Sequence, residues 1–117
     1  MSKIASFTDE AQSIVNEFVS ILLDKYKEDI KKIILFGSLS KGFYLPGSDC
    51  DILLVLKEKK QEIINGIYEV VVDFLLKYGI DLSLKIYSEN DFESKMLIPT
   101  PFMAEIRKTG RELWTQT

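Results

Sequence analysis

The chain has 117 residues, 46% of them hydrophobic and 28% charged, which is enough for one compact domain with a real core and too little for a catalytic domain plus a separate substrate domain. Its formal net charge is −3, with fifteen basic residues interleaved among eighteen acids, so no broad positive surface can track a long nucleic acid. Histidine is absent and Cys50 is the single cysteine, which excludes an internal disulfide, the usual zinc sites and histidine-based nucleophilic triads.

No apolar run approaches the ~18 residues of a membrane span, and Met1-Ser2-Lys3-Ile4 lacks a signal-peptide core. A cytoplasmic protein with no membrane partner is the default expectation, as a single domain over residues 1–117.

From Thr8 to about Tyr26, apolar residues at Ile14, Val15, Phe18, Val19, Leu22, Leu23 and Tyr26 recur at helical spacing, predicting an amphipathic first helix. Lys31 to Phe36 then reads as a short buried strand ending at Gly37, where the glycine permits a sharp turn. The stretch from Gly37 to Asp49 is rich in turn formers, and its apolar Phe43-Tyr44-Leu45-Pro46 suggests base stacking, docking onto the domain or, slightly favoured, a partner contact. Asp49 to Leu56 predicts a central strand, apolar on both faces after its polar start.

Ile63, Ile64, Ile67, Val70, Val71, Phe74 and Leu75 predict a second helix ending near Tyr78, with Gly79 as its C-cap. Ile80 to Tyr87 alternates: Ile80, Leu82, Leu84 and Ile86 point one way, and Asp81, Ser83, Lys85 and Tyr87 the other. The intervening helix is long enough for a parallel crossover, whereas the first two strands are joined too briefly for one, so the sheet is expected to be mixed. A helix starts at Glu89, Pro99-Thr100-Pro101 breaks it, and Phe102 to Lys108 forms a last short helix, after which Leu113 and Trp114 pack back on the domain.

The chemistry concentrates on acids. Period-two geometry puts Asp49 and Asp51 on one side of their strand and Cys50 on the other, toward the core. If the third strand lies beside the second, Asp81 reaches the same sheet edge. Carboxylates about 4 Å apart repel by roughly 4 kcal/mol at an effective dielectric of 20, so converging acids need a cation or a shared proton. Magnesium is the ordinary answer, and two such ions suit nucleotidyl transfer, which must neutralise a triphosphate and activate a hydroxyl. Gly37 admits a phosphate close to the backbone, Ser38 can donate to it, and Lys41 can add positive charge. A bare Asp-x-Asp pair often does no more than begin a strand. Ser38 alone reads as a turn serine, and Asp81 alone as a polar strand start.

Gly37-Ser38, ten residues and then Asp49-Cys50-Asp51 resembles the signature of the polymerase-β-type nucleotidyltransferases, in particular the minimal nucleotidyltransferases of prokaryotes. Gly42 and Ser48 stand where that pattern expects them, Ile80-Asp81-Leu82 with Tyr87-Ser88-Glu89 resembles its third-carboxylate strand, and Pro101-Phe102 to Trp114 resembles its tail. Where members often carry arginines after Gly-Ser, this chain has Leu39 and Lys41.

The resemblance implies an α/β (α+β) nucleotidyltransferase core with a mixed sheet and helices mainly on one face. It implies that Asp49 and Asp51 bind both magnesium ions, that Asp81 binds the catalytic one and helps deprotonate the acceptor, and that Gly37, Ser38, Lys41, Gly42 and Ser48 serve the nucleotide. ATP is the expected donor. Many such proteins are paired with a helical HEPN-type protein, in some systems a toxin silenced by transfer of AMP to a tyrosine, which implies an antitoxin role; a homodimer is the other assembly open to the chain. Two other readings stand beside this one. The fold could regulate a helical partner by contact alone, or the acceptor could be a small molecule or an RNA end.

Overall fold

The structure is a computed structural model that describes residues 2–37 and 50–116, with side chains from residue 10 onward. Helix α1 runs Ser2–Tyr26, starting before the apolar stripe that announces it. Strand β1 (Ile30–Phe36) and strand β2 (Cys50–Leu56) pair antiparallel. Helix α2 (Gln61–Tyr78) crosses to strand β3 (Leu82–Ser88), which lies parallel to β2. Two short helices follow, α3 (Glu89–Met96) and α4 (Pro101–Thr109), and strand β4 (Arg111–Thr115) ends the order. The sheet reads β3-β2-β1-β4 and is mixed, as the connection lengths require.

Alternation along the strands splits the core in two. Cys50, Ile52, Leu54 and Leu56 of β2, with Ile33 and Leu35 of β1 and Leu82 of β3, face the two long helices. Those helices contribute Ala11, Val15, Phe18 and Leu22 from α1 and Ile63, Ile67, Val70, Val71 and Phe74 from α2. Phe18 meets Phe74 edge to face at 5.5 Å between centroids, a favoured aromatic geometry. The opposite sheet face is covered only in part, by the short helices. There Ile34, Phe36, Leu53 and Val55 pack with Phe92 of α3 and Ile106 of α4. Strand β2 is thus apolar on both faces because both are covered.

Local signals set the boundaries. Gly79 closes α2 in the left-handed conformation (φ 68°), its N–H donating to the Leu75 carbonyl. The Ser88 hydroxyl caps α3 by accepting from the Asp91 N–H at 3.1 Å. Thr100 caps α4 by accepting from the Met103 N–H at 3.2 Å, with Pro101 in the first turn.

The chain after Gly110 corrects one expectation. It does not merely pack back: it forms β4, antiparallel to β1, and Leu113 and Trp114 join the main cluster from within that strand. Ile33 pairs with Trp114 and Ile34 with Glu112, leaving Leu113 as an extra residue, a bulge. The bulge breaks the period-two pattern from which a strand is read. Among the described residues, no helix is long and apolar enough to cross a membrane.

Candidate active site at the start of β2

The site is built where three segments meet at one end of the sheet. Phe36, the last residue of β1, pairs with Asp51, so the turn residue Gly37 lies beside the start of β2. On the other side Asp51 pairs with Ser83 of β3. Gly37 has φ +82°, a conformation that side-chain-bearing residues rarely adopt. A Cβ at Gly37 would fall 2.5 Å from Oδ2 of Asp51, so the carboxylate lies directly over the bare α-carbon. Only glycine leaves room for that approach.

Asp81 stands one residue before β3 and is exposed. Its carbonyl accepts the Cys50 N–H at 2.9 Å, which ties the segment carrying the third acid to the residue preceding Asp51. The structure therefore brings Gly37, Asp51 and Asp81 to the same sheet edge. Ser38, Lys41, Gly42, Ser48 and Asp49 lie outside the described residues, as does Phe43-Tyr44-Leu45-Pro46. Among the described residues, no three acids, cysteines or histidines converge closely enough to hold a metal.

Cys50 is fully buried on the opposite sheet face from Asp51. Burial, with a smaller contribution from the adjacent Asp51 charge, pushes its thiol up to about 12. It stays a protonated core residue rather than a nucleophile. The donors left at the edge are the hard carboxylate oxygens of Asp51 and Asp81, a set that fits magnesium better than zinc.

By alternation Ser83, Lys85 and Tyr87 continue the face of Asp51 along β3, Lys85 standing about 7 Å beyond Ser83. A groove of about 400 Å³ opens there, lined by Lys85 and Tyr87 together with Lys95, Ile98, Thr100, Phe102 and Met103. Lys95 lies over the Tyr87 ring at 5.8 Å. The sequence pattern marks Lys85 and Tyr87 as facing this way, but the α3 and α4 contributions carry no signal until the helices are folded onto the sheet. A larger cavity of about 530 Å³, lined by Val55, Phe92 and Met96 among others, sits at the far end of β2 from Asp51.

With this geometry in place, comparison with known proteins decides the family. The nucleotidyltransferase domain family model matches residues 15–106. The chain belongs to the nucleotidyltransferase family. MJ0604 of Methanocaldococcus jannaschii, which carries the provisional name protein adenylyltransferase, is 37% identical over 103 residues, covering 88% of this chain and 97% of its own. MJ0141 of the same organism, with the same provisional name, is 33% identical over 89% of this chain and 99% of its own.

Solved nucleotidyltransferase structures share the fold. A chain from a toxin–antitoxin MntA–HpeT mutant crystal structure superposes with a TM-score of 0.56 at 19% identity, covering 87% of this chain and 73% of that one. A chain from the complex of tri-AMPylated Shewanella oneidensis HEPN toxin with MNT antitoxin gives 0.52 at 18%, covering 90% and 72%. The mixed α/β nucleotidyltransferase fold expected from the motif is the fold observed, and the enzyme class is nucleotidyltransferase.

Proposed function

We propose that this nucleotidyltransferase moves AMP from ATP onto a tyrosine hydroxyl of a helical HEPN-type partner, and that it thereby acts as the antitoxin of a pair. The observation that carries the chemistry is the Asp51 carboxylate seated over the bare α-carbon of Gly37, beside the segment that presents Asp81. The names of the M. jannaschii relatives and the AMPylated toxin in the S. oneidensis complex support the acceptor class.

In this reading Asp49, Asp51 and Asp81 hold two magnesium ions. Bound there, the metal supplies positive charge for the triphosphate and for the departing pyrophosphate. Gly37, Ser38, Gly42 and Ser48 present backbone and hydroxyl donors to phosphate oxygens, and Lys41 adds a cation. Asp81 takes the proton of the acceptor hydroxyl as its oxygen bonds to the α-phosphorus and the bond to the β-phosphate oxygen breaks. Lys85 and Lys95, on the groove beyond Ser83, receive the acceptor segment.

The test is direct. The protein is incubated with labelled ATP, magnesium and the product of its adjacent gene, and both chains are weighed by intact-mass spectrometry. Gain of whole AMP units on a tyrosine of the partner, abolished by chelation and by Asp51→Asn, is the expected result. Silencing of the partner by Asp51→Asn with no change in its mass would show that contact alone carries the role.

A further inference from the structure

Helix α2 is apolar on two sides. Its inner face is spent in the core, yet Tyr68, Val72, Leu75 and Leu76 remain exposed, Leu76 at 80% and Val72 at 51%. Their spacing, four, three and one residues, places them in a single stripe about 12 Å long on the solvent side. A soluble helix that has already buried one apolar face has no folding reason to carry a second. The stripe borders a shallow concavity of about 600 Å³ lined by Asn65, Tyr68, Glu69, Val72 and Asp73.

Charge selects the occupant. Glu62, Glu69 and Asp73 are exposed and, at about 100° per residue, lie together about 60 to 100° round the helix from Val72, all to one side of the stripe. That side is the one facing α1, where Gly66 approaches the Tyr26 hydroxyl and Lys77 pairs with Glu17. The other border, at Ile64 and Val71, is apolar. No lysine or arginine among the described residues forms an ion pair with these three acids.

We infer that the outer face of α2 docks an amphipathic helix of a different protein, one with an apolar stripe edged on one side by lysines or arginines. A second copy of this chain fits poorly. In an antiparallel two-fold pairing through the stripe, the acid rows of both copies fall on the same side and repel, and in a parallel one each row is pressed against an apolar border without a counter-charge. A helix with a basic edge meets the apolar stripe and the acid row at once. The inference goes beyond the transfer reaction and does not depend on it.

The experiment uses two synthetic helical peptides with the same leucine stripe, one edged by lysines and one by glutamates, titrated into the ¹⁵N-labelled full chain. The lysine-edged peptide is expected to shift the amides of residues 65–76, and Leu76→Asp to weaken it at least tenfold with the circular dichroism spectrum unchanged. Glu69→Lys with Asp73→Lys should transfer the preference to the glutamate-edged peptide. Asp51→Asn should bind as the unaltered chain does, which separates failure of this surface from failure of the proposed chemistry. Equal binding of both peptides, no shifts along α2, or a concentration-dependent dimer by sedimentation that Leu76→Asp abolishes would each overturn the inference.

Discussion

Gly37 and Asp51 are held against each other across the β1–β2 ladder, the carboxylate of one occupying the space where a side chain on the other would begin. Among the described residues two glycines have positive φ, Gly37 at 82° and Gly79 at 68°, and of these two Gly37 alone would bring a Cβ within 4 Å of another atom. Gly79→Ala should therefore lose about 1 kcal/mol for the left-handed backbone and keep full transfer activity. Gly37→Ala should lose a similar amount of stability and, by displacing Asp51, at least tenfold in kcat. Urea titration and a transfer assay on the two variants read the two effects separately.

Asp81 contributes its carbonyl to the fold and, in the proposed reading, its carboxylate to the reaction. Because the Cys50 N–H bonds to the backbone, Asp81→Asn leaves that tie in place, and its exposed side chain bears no packing load. The variant is expected to unfold within about 0.5 kcal/mol of the parent, as surface substitutions do, while the proposed transfer activity falls at least a hundredfold. Loss of stability in step with activity would instead make Asp81 a structural residue.

Cys50 predicts a pH dependence of stability at the alkaline end. Its folded thiol titrates near 12, above the ordinary value of 9.0, so between those values the native state holds a proton that the unfolded chain has released. The stabilisation is fully present below pH 9 and drains away as pH rises toward 12, with a slope approaching about 1.4 kcal/mol per pH unit. Cys50→Ala lacks this component. Urea midpoints at pH 8 and pH 10.5 should converge between parent and variant as pH rises, and the native thiol should resist a disulfide reagent at pH 8.

The two long helices are clasped by polar contacts of unequal worth. Tyr78 donates its hydroxyl to Oε1 of Glu17 at 2.8 Å in a half-buried setting, and its ring stacks edgewise on Phe74 at 5.4 Å. Lys77 reaches the same glutamate only at 4.0 Å and in solvent. Tyr78→Phe, which keeps the ring, should cost about 1 kcal/mol, and Lys77→Ala much less, as exposed ion pairs do. Thermal unfolding of the two variants ranks them.

Much of this was legible before folding. The stripe Val15, Phe18, Leu22 and the run Ile52 to Leu56 announce α1 and β2 because burial is written into residue type, and Gly79 and Thr100-Pro101 mark the end of α2 and the start of α4 through backbone constraints that act locally. The alternation of Ile80 to Tyr87 placed Asp81 at the same edge as Asp51 once the parallel pairing was inferred. Strand β4 escaped because its bulge at Leu113 puts neighbouring residues out of alternation and its partner β1 lies some eighty residues earlier. The groove on the Asp51 face escaped for the same kind of reason: Lys85 and Lys95 come to line one groove only when α3 folds back on the sheet.

The sheet order also sets a schedule for synthesis. Strand β1 emerges early from the ribosome, yet one of its edges waits for Arg111–Thr115, whose pairing is fastened by the Gln116 N–H on the Lys31 carbonyl at 2.9 Å. Until then the nascent chain carries Ile33, Ile34, Leu35 and Phe36 on an open strand edge, the kind of surface that recruits other chains. The β1–β2–β3 portion can assemble first, with α1 and α2 over one face, and the last nine-residue helix and five-residue strand close it. Gly37, which meets Asp51, therefore follows a strand that is not fully paired until Arg111–Thr115 has been made.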